Sequence, residues 1–366
     1  MTNLLTQYIE SAKQPLEQAE CLPFAVYHDP DTYKKEVHDI FFNDWVFCTA
    51  EANLKAIGSY YAFTLAGESI AIVRNQENQL VALSNVCRHR GTLLLDEGYG
   101  HFKKHIVCPY HAWAYNDEGK LLAAPFSGNV AIDKKAHCLP TYSVDTFLGL
   151  VFVHIKPPKM TLEERFGKVA ELTKDYEPDR FTQAYYSDDE VWHANWKLAV
   201  ENGIESYHLF KVHKDTLEQT TPTKTAYYVE GSEKWAVTGG KIKGAAPVSS
   251  WFKRSYPEHL DHYRLVFLPP GFIGIMTYES FDWIQVMPKS STSCLIKSGG
   301  ISTSNKLSQS QKDFTKAFFA EDKWICERVQ QGMQSQLTKG GKLVGMEKIV
   351  VDFHQYLANQ LNSTNQ

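Results

Sequence analysis

NVCRHRG at residues 85–91 and VCPYHAW at 107–113 place two cysteine–histidine pairs on the chain, Cys87-x-His89 and Cys108-x-x-His111, with eighteen residues between His89 and Cys108. Two thiolates and two imidazoles on two hairpin loops suit either of two sites. One is a structural zinc in a tetrahedral Cys2His2 shell. The other is a [2Fe-2S] cluster with two Cys on one iron and two His on the other. Zinc sites commonly pair Cys with Cys and His with His along the chain. Here each loop donates one of each, the mixture a two-iron centre needs, because each loop then reaches across both irons. Neutral imidazoles in place of two thiolates reduce the negative charge and raise the potential, to roughly -150 to +300 mV.

The surrounding texture supports hairpins. SYYAFTLAG, SIAIVRN and LVALSNV are short β-branched or aromatic runs separated by Gly, Glu and Asn, the pattern of antiparallel strands. The pattern continues to LGLVFVHIKPP, where Pro157 and Pro158 close it. A β-rich insert over 45–157 is expected, with a larger α+β domain formed from 1–44 and 158–366. In that remainder helices are expected near 160–176, 197–210, 308–337 and 346–360, with strands such as YRLVFLP, GFIGIMTYE and WIQVMPK.

Composition narrows the function classes. The 366 residues carry a net charge of -4, which gives no basic footprint for nucleic acid. No apolar run approaches the roughly 18 residues of a membrane span. The first twenty residues lack the basic start and apolar centre of a signal peptide, so a cytoplasmic protein is expected. The cysteine count of seven is odd, and only Cys87 and Cys108 sit beside histidines in a pattern. His101 and His105 read as loop residues.

A cluster alone leaves about two thirds of the chain unexplained. WHANWKLAVENGIESYHLFKVH at 192–213 supplies a second constellation. Glu205 and His208, three apart, share a helix face. His213 would lie roughly 140° round from His208 on a regular helix, so for both to bind one ion the helix must bulge or end between them, with Phe210–Val212 the expected place. Two histidines and a carboxylate with open positions form the facial triad of non-haem Fe(II) oxygenases. In FTKAFFAEDKWICERVQQGM at 314–333, Phe318, Asp322, Ile325, Val329 and Met333 follow one helix face. A carboxylate within that stripe is costly to bury unless paired or metal-bound. Glu321 and Glu327 fall off the stripe and read as solvated, and Asp352 is a lesser contender.

CRHRG, CPYHAW, the following YNDEGKL and the phrase NWKLAVENGIESYHLFKVH resemble the motifs of Rieske non-haem iron oxygenases, the oxygenase-component alpha subunits that hydroxylate aromatic rings or oxidise quaternary ammonium compounds. The resemblance implies that Cys87 and Cys108 bind one iron of a Rieske [2Fe-2S] cluster and His89 and His111 the other. It implies a mononuclear Fe(II) on His208, His213 and Asp322, the last falling in an EDxxxCExVQ-like phrase. Glu205, at a position usually Asp, would bridge the iron's histidine to the Rieske histidine of a neighbouring subunit, and Asn202 matches a position close to the metal. The implied fold is α+β, a Rieske β-rich domain plus a helix-grip, START-like catalytic domain with an antiparallel sheet. The implied assembly is a homotrimer. TGGKIKG at 238–244 lacks the G-x-G-x-x-G spacing of a dinucleotide site, and the resemblance implies a separate flavin and iron–sulfur NAD(P)H reductase as the electron source, with or without a ferredoxin. The reaction expected is O2-dependent hydroxylation of a small organic substrate, leaning to oxidative N-demethylation of a methylated quaternary amine. An aromatic ring-hydroxylating dioxygenase, and a Rieske electron-transfer protein without oxygenase activity, are the alternatives. Tyr207, Phe210, Trp235, Phe267, Phe272, Tyr278 and Trp283 are candidates for a substrate cavity, with most of them expected to be core.

Overall fold

Strands form where the chain alternates apolar and polar residues, because a period of two lets one side of each strand bury. The computed structural model describes residues 4–186, 189–244, 257–304 and 308–363. They divide into two compact units, 41–162 and 1–40 with 163–366.

The first unit contains strands β1 (Val46–Ala50), β2 (Ser59–Leu65), β3 (Glu68–Arg74), β4 (Leu80–Ser84), β5 (Gly98–His101), β6 (Ile106–Val107), β7 (Ala114–Tyr115), β8 (Leu121–Ala123), β9 (Thr141–Phe147) and β10 (Leu150–His154). A seven-stranded sheet runs β1-β10-β9-β4-β3-β2-β5, and β6-β7-β8 form a smaller one. Val73, Leu83, Ile106, Trp113 and Tyr115 pack into one buried cluster that also takes in Cys87 and Cys108. The two motif loops therefore rise from a shared core rather than from a flexible surface.

The second unit has an antiparallel sheet of β11 (Gln183–Tyr186), β12 (Glu190–Trp192), β13 (Tyr227–Gly231), β14 (Ala236–Lys241), β15 (His262–Leu268), β16 (Phe272–Met276), β17 (Ser280–Ser290) and β18 (Ser293–Ser302). Their order is β11-β18-β17-β16-β15-β14-β13, with β12 also pairing β18. The helices are α1 (Leu4–Ala12), α2 (Pro30–Glu36), α3 (Leu162–Thr173), α4 (Trp196–Ile204), α5 (Leu209–Val212), α6 (Leu217–Thr220), α7 (Gln309–Gly332) and α8 (Lys348–Ser363). The sheet holds α4 against β16–β18 and α8 against β13 and β14, the α+β helix-grip arrangement expected. None of the described helices is long and apolar enough to cross a membrane.

Helix α4 carries the second motif, and its sequence explains its rigidity. Asn195 caps it, accepting the Lys197 N–H at 3.0 Å, while its own N–H donates to Gln330 of α7 at 2.7 Å. Lys197, fully buried, donates to Glu36 at 2.6 Å and to the Val26 carbonyl at 3.0 Å. Tyr8 and Trp196 donate to the same carboxylate. Three segments distant in sequence are thus pinned to the first turn of α4.

Two expectations shift. The long helix α7, expected over 308–337, stops at Gly332. Its buried residues are Asp322, Cys326, Gln330 and the capping Met333, whereas Val329 is exposed. The apolar face is rotated from the one expected because Gln330 is buried to bond Asn195 and the Tyr27 carbonyl.

Candidate metal centres

The two cysteine loops fold as the same tight turn. In the first, Gly91 N–H donates to the Cys87 carbonyl and Cys87 N–H to that of Thr92. In the second, Ala112 N–H donates to the Cys108 carbonyl and Cys108 N–H to that of Trp113. Each turn needs a positive φ four residues after its cysteine, at Gly91 (76°) and Ala112 (56°). Glycine adopts that conformation freely, whereas alanine does so at a cost of order 1 kcal/mol.

Both thiols are 3% exposed, while His89 is exposed and His111 half-buried. Like donors sit together. Cys87 and Cys108 lie in one buried cluster, and the His89 and His111 ring centroids are 4.7 Å apart. Burial raises the Cys108 thiol, but the N–H groups of Tyr110 and His111 and the Cys87 and Thr92 side chains outweigh it and hold it low. Tyr115 hydroxyl lies 3.3 Å from Cys87 Sγ, and His89 stacks on Trp113. His111 Nδ1 is buried without a hydrogen-bond partner, as suits a nitrogen meant for a metal. A [2Fe-2S] cluster fits this set, with sulfur donors inward and imidazoles at the surface. His101 is bonded elsewhere, to the Ile57 carbonyl.

The second constellation converges. His208, His213 and Asp322 each present a ligand atom within 4.8 Å of the others, the only such group of three among the described residues. His213 Nε2 lies 2.9 Å and His208 Nε2 3.6 Å from Asp322 Oδ1. Asn202 Nδ2 donates to the same oxygen at 2.7 Å, placing this candidate in direct contact with the triad. Burial pulls the His208 pKa down, but the Asp322 carboxylate facing its Nε2 and the Glu205 carboxylate bonded to its Nδ1 reverse that and lift it to about 9. A divalent cation here would displace the proton that a protonated His208 carries on Nε2, and the two imidazoles and one carboxylate fit Fe(II).

The helix interruption falls elsewhere than expected. Helix α4 ends at Ile204, and Glu205 is extended (φ -112°, ψ 160°). His208 opens α5 and His213 closes it, so the span Phe210–Val212 is an intact turn, with Val212 N–H on the His208 carbonyl at 2.9 Å. The break sits at Glu205–Tyr207 because Glu205 Oε2 accepts the Tyr207 and His208 N–H groups, capping the second helix. Its Oε1 accepts His208 Nδ1 at 2.5 Å. One glutamate therefore breaks the helix, caps the next turn and orients the first histidine.

Glu321 and Glu327 are not simply solvated. Glu321 accepts His213 Nδ1 at 2.7 Å and Thr216 Oγ1 at 2.6 Å. Glu327 accepts the His193 N–H. Asp352 is excluded from the triad by its own partners, Lys348 and Tyr228. A cavity of about 330 Å³ lies in the same unit, lined by Glu201, Asn202, Glu205, Cys326, Glu347 and His354 among others. None of the seven aromatic cavity candidates lines it. Phe267, Phe272, Trp235 and Trp283 are core, and Tyr207 and Phe210 are exposed. Phe318, expected on the helix face of Asp322, meets the His213 ring edge-on at 6.3 Å.

Residues 44–143 match the Rieske [2Fe-2S] domain family, and residues 180–363 match the ring hydroxylating alpha subunit (catalytic domain) family. The glycine betaine monooxygenase oxygenase subunit of Chromohalobacter salexigens is 33% identical over 196 residues, 54% of this chain and 44% of that protein. The carnitine monooxygenase oxygenase subunit of Escherichia coli K12 is 26% identical, with the alignment covering 98% of this chain and 99% of that one. Among solved structures, the quaternary ammonium Rieske monooxygenase CntA with L-carnitine superposes with a TM-score of 0.81 at 23% identity, covering 96% and 97%. Naphthalene 1,2-dioxygenase from Rhodococcus sp. superposes with 0.82 at 17% identity, covering the whole of both chains. These two likenesses are of fold alone.

Proposed function

We propose a quaternary-ammonium monooxygenase role for this chain, which belongs to the ring-hydroxylating alpha-subunit family of Rieske non-haem iron oxygenases. The observation that carries the reading is the convergence of His208, His213 and Asp322 next to Glu205. That site is built for open-coordination Fe(II) rather than for electron carriage alone. Glu at 205, one methylene longer than the usual Asp, and an end-to-end alignment with a carnitine monooxygenase subunit favour methylated ammonium substrates over arenes.

With metals bound, the cluster would supply single electrons and the Fe(II) would supply positions for activating O2. Cys87 and Cys108 would hold one iron and His89 and His111 the other, exposing the imidazole edge to a redox partner. Glu205 orients His208 through Nδ1 and, with three of its roughly four acceptor sites used, keeps one for a further donor. Asn202 holds Asp322 in place through its Nδ2. Overall, one oxygen atom enters a C–H bond of an N-methyl group, and the other leaves as water with two electrons and two protons. The resulting carbinolamine then loses formaldehyde.

The electrons come from a separate NAD(P)H-dependent flavin and iron–sulfur reductase, directly or through a ferredoxin. A homotrimer brings one copy's imidazole edge, flanked by exposed Leu93 and Tyr110, to the next copy's Glu205, flanked by exposed Tyr207 and Phe210. Such a head-to-tail contact closes into a ring.

The test is O2 uptake and formaldehyde release with NADH and a surrogate reductase, using carnitine, γ-butyrobetaine and glycine betaine beside naphthalene and toluate. Ammonium-dependent formaldehyde is expected. A cis-diol from an arene, with no formaldehyde from any ammonium substrate, would establish the aromatic alternative instead.

A further inference from the structure

We infer that Glu321 is a positioning residue for the mononuclear metal, fixing the ring orientation and proton position of His213. The inference rests on the reading that His208, His213 and Asp322 hold the ion. Two consecutive carboxylates of α7 grip the two nitrogens of one fully buried imidazole. Asp322 Oδ1 lies 2.9 Å from Nε2, and Glu321 Oε2 lies 2.7 Å from Nδ1. Neighbouring helix positions are about 100° apart, so both reach the ring only because His213 sits against the flank of α7 between them.

The chemistry follows from the two tautomers. A neutral imidazole carries one N–H, and which nitrogen holds it is set by the better acceptor. Glu321 draws that hydrogen to Nδ1 and leaves the Nε2 lone pair facing Asp322, where the ion would sit. Without Glu321 the hydrogen can occupy Nε2 and donate to Asp322, which turns both intended ligands toward each other. A carboxylate on the outer nitrogen also makes the imidazole a stronger donor.

His208 shows the same relation, with Nδ1 on Glu205 and Nε2 toward Asp322. The two glutamates differ in their surroundings. Glu205 borders the cavity, whereas Glu321 Oε2 is held by Thr216 Oγ1 at 2.6 Å, and Thr216 N–H bonds the His213 carbonyl. This closed loop of Glu321, Thr216 and His213 serves one histidine, a fixed brace beside the Glu205 arm. The bland alternative is that Glu321 merely satisfies Thr216 and ties α7 to the segment after α5.

The two readings separate on metal affinity. Protein with its cluster intact and the mononuclear ion removed by chelation is dialysed against Co(II) or Fe(II), and bound metal is counted per cluster. Glu321→Ala is expected to raise Kd about 10–100-fold. Glu321→Gln keeps an acceptor but loses the charge and should fall between Ala and wild type. The cluster spectrum and the melting temperature of the metal-depleted protein should stay close to wild type. Wild-type uptake with Glu321→Ala within about two-fold of it overturns the inference alone. If Glu321→Ala does not fold, an unchanged Kd in Glu321→Gln overturns it equally. A wild-type chain that takes up no ion beyond its cluster sinks the metal reading and this inference with it.

Discussion

Breaking the buried pair Lys197–Glu36 tests what fixes α4, and through α4 the metal site. Both side chains are fully buried and 2.6 Å apart. At an effective dielectric of about 20, that separation corresponds to an attraction of roughly 6 kcal/mol. Desolvation of each ion costs several kcal/mol in return, so the pair is near neutral against a well-packed apolar substitute. Removing one partner is different, because it strands the other charge. For Lys197→Met, Glu36 keeps only the Tyr8 and Trp196 donors. For Glu36→Leu, Lys197 keeps the Val26 carbonyl and the faces of Tyr8, Tyr27 and Trp196 at 5.3–5.7 Å. Each single change should cost about 3–5 kcal/mol, a fall in Tm of roughly 6–20 °C at 2–4 °C per kcal/mol for a unit of this size. The double variant should recover most of that loss. Calorimetry of the four proteins, with iron content measured beside it, gives the coupling directly. Single variants within about 2 °C of wild type, or a double variant no more stable than the singles, would refute the reasoning.

Further outcomes are expected at the metal centres. Metal and sulfide analysis should give about three irons and two sulfides per chain, one cluster and one ion. Asp322→Ala should lower the iron to about two and abolish turnover while the cluster's EPR spectrum survives, and retained activity would move the third ligand elsewhere. Glu205→Gln, loaded to wild-type iron content, should reduce its cluster normally yet lose about 10–100-fold in turnover. Normal coupled turnover in that variant would rule out the bridge.

Chemistry that is local in sequence was the most legible part of this protein. The cysteine–histidine pairs lie within four residues of each other, and the turns that present them close through their own backbone, as at Gly91 and Ala112. Strand texture was readable because a period of two is a local signal, and the apolar stripe of α7 was close enough to single out Asp322. The helix break was misplaced by a few residues because a spacing rule registers a mismatch without saying which side chain relieves it. Glu205 relieves it, capping α5 with the same carboxylate that holds His208.

What the sequence determined by itself was therefore donor chemistry: which thiols, imidazoles and carboxylates exist, at what spacing, and so which metals suit them. Only the tertiary structure decided what those donors rest against. His213 and Glu321 are 108 residues apart, and Asn202 and Asp322 are 120. Neither pairing leaves a periodic trace along the chain, because each depends on α4 and α5 packing against α7. A lone glutamate off an apolar stripe reads as solvated until the fold brings a histidine to it. The physical reason is range: a ligand's identity is carried by its own side chain, whereas its orientation is set by contacts that exist only once distant segments meet.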